Sequence, residues 1–238
     1  MNVSSAPGIA IAIVPSPPVL VPELAGTAAA ELQDLRAAVR AAVSALPPRW
    51  IAIGVDAAGC RVGPDTSGTF AGYGADVEVA LSPGDHRIVD LPLAALMAAW
   101  LRTVERPRAC VEMRCYPAYL DSDAAFVHGR ELCAELEAAD APTGVLVVAD
   151  GCHTLTPAAP GGHHPGSVAV QAALDNALAR GDATALARLP DAIVGRVAFA
   201  VLAGLVHRRP PAVARELYRG APYGVGYFVG VWQMAGRR

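Results

Sequence analysis

Four apolar runs of strand length, at residues 9–14, 50–55, 110–115 and 144–148, constrain this chain more than any other feature. Each is separated from the next by a stretch whose apolar residues recur every three to four positions, the period of an amphipathic helix. Near-continuous apolar strands alternating with helices require a largely parallel sheet that is covered by helices, because both strand faces must be buried. The expected fold class is therefore α/β: one domain over residues 1–238, with a central, mostly parallel sheet flanked by helices.

Helix signals can be placed with some detail. A helix starting near Thr27 runs through Leu32, Leu35, Val39 and Val43 to Leu46 and stops at Pro47-Pro48. A second follows Pro92 through Leu96 and Trp100, and a third is opened by Asp121-Ser122 and carries Phe126, Val127, Leu132 and Leu136. Further helical patterns cover residues 167–180, 182–189 and 191–206, and alternation over 223–232 predicts a closing strand.

Composition removes several chemistries. All 19 basic residues are arginine. A Schiff-base lysine, a pyridoxal phosphate anchor, a P-loop lysine and a kinase-type lysine are thus excluded. The absence of lysine, with abundant Ala, Gly and Pro, is read as genomic codon bias. A net charge of -3 supplies no field for nucleic acid or an anionic membrane. Five cysteines without a CxxC spacing indicate neither a disulfide framework nor a zinc ribbon, and a reduced, cytoplasmic protein is expected. The apolar run at 8–14 lacks preceding basic residues and meets Pro15, Pro17 and Pro18, unlike a signal peptide; the run at 197–206 is too short to cross a bilayer.

In open α/β sheets, ligands bind beyond the carboxyl ends of the strands. Three segments converge there: Pro15-Ser16-Pro17-Pro18, Asp56-Ala57-Ala58-Gly59 and Asp150-Gly151-Cys152-His153. The last opens a Gly- and Pro-rich loop over 150–166, long enough to expect a functional role. His153 is the best candidate for acid–base work, with a role as a brace of its own loop as the competing reading. His163-His164, with His153 and Asp150, offer metal-ligating atoms, but adjacent side chains on one extended segment diverge, and a solvated loop is favoured. Cys152 beside His153 is no better as a nucleophile pair, for the same reason. His86 reads as a turn residue, and His128 and His207 as helix residues.

Three segments together give a family likeness: VPSPPVLVPE at 14–23, the strand and loop at 144–160, and APYGVGYFV at 221–229. In order and spacing, over nearly the whole chain, they resemble the class III extradiol ring-cleavage dioxygenases of the B-subunit type and the related Memo-like proteins. The closing segment is the most specific. The resemblance implies an α/β fold and, in active members, a mononuclear Fe(II) held by two His and one Glu, with a separate His moving protons. Carried over by position, the first His ligand falls on Ser16. The second falls in Val55-Asp56-Ala57-Ala58, and the third, Glu or Cys in those families, on Val194. Only the acid–base His is retained, as His153. No His other than His86 lies between residues 1 and 87, so no small shift of alignment restores the triad.

Two functions follow. In the first, the chain is a degenerate, non-iron member that keeps fold and pocket (Ser16, Asp56, Asp150, Cys152, Val194 with His153), needs no cofactor and binds a small molecule, a partner subunit or a second copy of itself. In the second it is an active enzyme, either a ring-cleaving dioxygenase with a reassigned metal site, the only case requiring Fe(II), or a metal-independent hydrolase or isomerase using His153 with Asp56, Asp150 or Ser16. The first is preferred.

Overall fold

The computed structural model describes residues 8–26 and 31–236. In chain order the elements are β1 (Ala10–Val14), α1 (Pro22–Ala25), α2 (Gln33–Ser44), β2 (Arg49–Asp56), β3 (Cys60–Val62), β4 (Thr66–Thr69), β5 (Glu78–Ala80), β6 (Arg87–Ile88) and α3 (Leu93–Glu105). They continue with β7 (Cys110–Pro117), α4 (Ser122–Ala138), β8 (Thr143–Val148), α5 (Ser167–Arg180), α6 (Ala183–Leu186), α7 (Arg196–Val206), β9 (Val213–Gly220) and β10 (Tyr227–Gln233).

The main sheet has seven strands in the order β3-β7-β2-β8-β1-β10-β9. Its central four, β7, β2, β8 and β1, are mutually parallel, while β3 at one edge and β10 and β9 at the other pair antiparallel. The four parallel strands are the four apolar runs of the sequence, and their alternate residues supply two separate cores. Ala12, Val14, Ala52, Leu146 and Val148 face α2 and α3; Ile11, Ile13, Ile53, Val145 and Val147 face α4, α5 and α7. Burying both faces of β1, β2 and β8 is what excludes polar alternation from their runs, whereas β7, toward the sheet edge, alternates buried Val111 and Met113 with half-buried Glu112 and Arg114. A small sheet, β5-β4-β6, packs beside α3. Arg102, a buried residue of α3, ties it down by donating to the Ala80 and Pro107 carbonyls.

Several boundaries differ from the sequence expectation, each for a local reason. The expected helix start at Thr27 lies outside the described residues, and the observed helix begins at Gln33. Asp121 does cap α4, its carboxylate accepting from the Ala124 amide at 2.8 Å. The helix expected from residue 191 starts only at Arg196, because Ile193 bridges to Cys152 and the Val194 and Gly195 amides donate to the Gly151 and Asp150 carbonyls. The helix expected over 182–189 is the single turn α6, capped by Asp182, whose carboxylate accepts from the Ala185 amide at 3.0 Å. The closing strand starts at Tyr227 rather than Tyr223, since residues 221–226 form a turn with Gly224 at positive φ. Strand β9 and the short strands β3 to β6 were not expected from the sequence. Among the described residues, no helix is long and apolar enough to cross a membrane.

Candidate functional site

The carboxyl ends of β1, β2, β7 and β8 meet one turn-rich face of the molecule, and the residues that follow them divide between the two sides of the sheet. Side chains alternate along a strand, so Ser16 and Asp150 continue the α2/α3 side begun by Val14 and Val148. They meet there. The Ser16 amide donates to one Asp150 carboxylate oxygen at 2.8 Å and the Ser16 hydroxyl to the other at 2.6 Å. Tyr227, at the start of β10, is 3% exposed beside this pair. Burial pushes the Asp150 carboxyl above its ordinary range, opposed by the two Ser16 hydrogen bonds. Burial and the Asp150 charge push the Tyr227 phenol up as well.

Asp56 ends β2 on the same side but does not join this pair. Pairing of β2 with β8 stops at Ile53 and Val147. Asp56 turns instead toward its own loop, where its carboxylate accepts a long 3.4 Å hydrogen bond from the Ala58 amide, and its charge acts on Cys115 and Tyr73.

His153 and Val194 lie on the opposite side. With Ala118, Asp191, Ile193, Arg196 and Val197 they border a surface depression of about 430 Å³. Both are exposed, Val194 to 49%. The His153 ring makes no hydrogen bond to any described residue and lies over Gly161, where a Cβ would collide with it. Arg196 is held at the rim by Asp191 at 3.1 Å and by the Leu120 carbonyl and Ser122 hydroxyl, both at 3.3 Å. A guanidinium fixed in this way offers its remaining N–H groups and its charge to the depression.

Cys152, expected at the pocket, is instead fully buried in the core on the α4/α5/α7 side. Its amide donates to the Gln171 side-chain carbonyl at 2.8 Å, and the Gln171 amide group donates to Asp175 at 2.8 Å. Gln171 is the residue that the sequence reading missed. Its side chain fills the space left by the absent Cβ atoms of Gly151 and Gly226, and an alanine at either place would overlap it. The Gly151 amide donates to the Gly226 carbonyl and the Gly226 amide to the Cys152 carbonyl, each at 2.8 Å. The GVGY of the closing segment is thereby a brace for the loop that carries Asp150 and His153. The sequence signal was the four-residue spacing of the polar residues Ser167, Gln171 and Asp175, which share the buried face of α5.

The rest of the 150–166 loop is held by backbone bonds from Gly161 to the His153 carbonyl and from His164 to the Thr154 carbonyl, both at 3.0 Å. His163 and His164 are exposed on it. Among the described residues, no three His, Cys, Asp or Glu side chains gather closely enough to hold a metal ion. The residues at the three ligand positions of the resemblance, Ser16, Asp56 and Val194, thus stand in three different settings. A further cavity of about 470 Å³ at the opposite end of the parallel strands is bordered by Arg106, Arg208, Arg209 and Glu137. It is remote from the strand carboxyl ends, and two of its arginines are already engaged, Arg209 by Glu137 and Arg106 by the Leu46 carbonyl.

No family model matches the chain, and no curated protein does. Among solved structures, the uncharacterized protein JW3007 from Escherichia coli K12 is similar in fold. It has a TM-score of 0.54 at 8% sequence identity, and the match covers 94% of this chain and 99% of that one. At that identity the likeness establishes a shared α/β architecture over nearly the full length of both chains, and nothing about chemistry.

Proposed function

We propose that this chain is a metal-independent relative of the class III extradiol dioxygenases of the B-subunit type, in which the strand-end site binds a small molecule and no longer cleaves a ring. The observation that carries this reading is the setting of the three ligand positions. Ser16 has spent its amide and hydroxyl on Asp150, Asp56 turns into its own loop, and Val194 stands exposed across the sheet. A facial triad needs three donors converging on one point. The Asp150 carboxylate is no substitute, because both of its oxygens already accept from Ser16.

The ligand enters the depression beside His153. There Ala118, Ile193, Val194 and Val197 supply apolar contact, and Arg196 with His153 supplies polar recognition. A second reading, a metal-independent enzyme with His153 as general acid or base, draws on the same exposed imidazole beside a held guanidinium; general acid–base catalysis of that kind supplies about 10²–10⁴-fold.

The test is a small-molecule screen read by backbone and imidazole NMR resonances in the presence of a chelator. Binding is expected to shift Ala118, His153 and Val194. Shifts confined to the cavity around Arg106 and Arg209, shifts at His153 that require added Fe(II), or shifts induced there only by a partner protein would overturn the small-molecule reading. Turnover of a bound compound in chelator, lost in His153→Ala, would establish the enzymatic reading in its place.

A further inference from the structure

Strand β3 is three residues long and sits at the edge of the sheet, yet its register is specific: Cys60 is the direct cross-strand partner of Cys115 on β7. Directly opposed residues of an antiparallel pair share a face and have Cα atoms about 4.5–5.5 Å apart, inside the roughly 4.4–6.8 Å window of a disulfide. Both cysteines face the α2/α3 core, and their thiols are within hydrogen-bonding reach of each other. The register is set by Gly59. Its φ of 78° lets the chain reverse into β3, and a Cβ there would come within 2.8 Å of the Pro117 ring at the end of β7.

We infer that Cys60 and Cys115 form a redox-active dithiol which closes to an intramolecular disulfide when offered a low-molecular-weight disulfide such as glutathione disulfide. The two thiols differ in access. Cys60 is half-buried, whereas Cys115 is 5% exposed. Burial, the neighbouring Cys60 and the Asp56 carboxylate together hold the Cys115 thiol in its neutral form. Cys60 is therefore the group that attacks the incoming disulfide: its thiolate forms a mixed disulfide and expels one glutathione thiolate. Cys115 then gives up its proton and attacks the Cys60 sulfur, which forms the protein disulfide and expels the second glutathione. Two protein thiols are oxidised and one glutathione disulfide is reduced to two glutathione thiols, which carry away the two protons. The new bond ties the segment that follows Asp56 to β7, so the redox state is written next to the carboxyl end of β2. The other charged groups of the β3–β7 pair, Arg61, Arg114 and Glu112, pair with one another on the opposite face of the two strands, with Glu135 of α4.

The folded protein is incubated with glutathione disulfide, quenched by alkylation and mapped by peptide mass spectrometry, with exposed Cys110 as the internal control. The expected result is a loss of two hydrogen atoms in mass at the 60/115 pair, a cross-linked peptide joining them, glutathione retained on Cys110 but on neither Cys60 nor Cys115, and a melting temperature higher by on the order of 5 °C. Reduction by dithiothreitol before the quench reverses the cross-link, the gain in melting temperature and the glutathionylation of Cys110. In Cys115→Ser, Cys60 is expected to keep glutathione for want of a resolving thiol. In Cys60→Ser, which leaves the core residue intact, Cys115 is expected to stay unmodified while Cys110 reacts. Glutathione persisting on Cys60 of the unsubstituted protein, a cross-link to any other cysteine, or Cys115 of Cys60→Ser reacting as fast as Cys110 would overturn the inference.

Discussion

On the α2/α3 side of the strand ends, half-buried Ser16 and Asp150 are committed to each other by two hydrogen bonds beside buried Tyr227. On the α7 side, His153 and Val194 are exposed around a depression, and only Arg196 is fixed. The same backbone serves both, since residues 150–153 supply Asp150 to one side and His153 to the other. The two sides share one strand-end architecture and differ in what their side chains are free to do. A side chain that turns inward and pairs becomes part of the fold, and only what remains exposed is free to meet a ligand. Stability and binding should therefore separate between the two sides.

The largest effect should come from the brace that serves both sides. Gly226→Ala places a methyl group against Gln171 and should cost about 3 kcal/mol in urea unfolding. A loss below about 1 kcal/mol would mean that the loops are not held by Gln171. Asp150→Ala should cost about 2 kcal/mol, because it leaves the Ser16 amide and hydroxyl without their acceptor.

Ser16→Ala removes one of those donors and should cost roughly 1–2 kcal/mol at neutral pH. Its pH dependence follows from the direction of the Asp150 shift. A carboxyl raised above 3.8 by burial binds its proton more tightly in the folded state, so its stabilising contribution is complete in acid and is lost as pH rises through the folded value. The Ser16 hydroxyl favours the charged form and limits that loss. The deficit of Ser16→Ala should accordingly be larger at pH 7 than at pH 4, and an equal deficit at both would show that Asp150 does not change charge in this range. The smallest effect on stability belongs to His153→Ala, expected within about 0.5 kcal/mol because the ring is exposed and unbonded among the described residues. Binding in the depression should nevertheless weaken at least several-fold; a stability loss above 1 kcal/mol with binding unchanged would make His153 a brace.

Strands β1, β2 and β8 were legible because burial on both faces forces unbroken apolar runs such as Ile51, Ala52 and Ile53, and β7 because Val111, Met113 and Cys115 alternate with polar residues at period two. Edge strand β9 was not, since exposed Val213, Arg215 and Arg219 are interspersed with half-buried residues that include the charged Glu216, a pattern that charged edge strands share with exposed loops. The division of the site was partly legible. Period-two alternation from Val14 and Val148 puts Ser16 and Asp150 on one side. That Val194 joins His153 was not, because it depends on the Cys152–Ile193 bridge between segments far apart in sequence. The opposition of Cys60 and Cys115 is likewise a matter of register, which cysteine spacing does not encode.

We propose that Ser16, Asp56 and Val194 form no metal site. Equilibrium dialysis of anaerobically purified protein against Fe(II), followed by elemental analysis and exposure to catechols and O₂, tests it most directly. The account predicts substoichiometric iron, unchanged by Ser16→Ala or Asp56→Asn, and no ring-cleaved product. One tightly held Fe(II) per chain together with ring cleavage would contradict it.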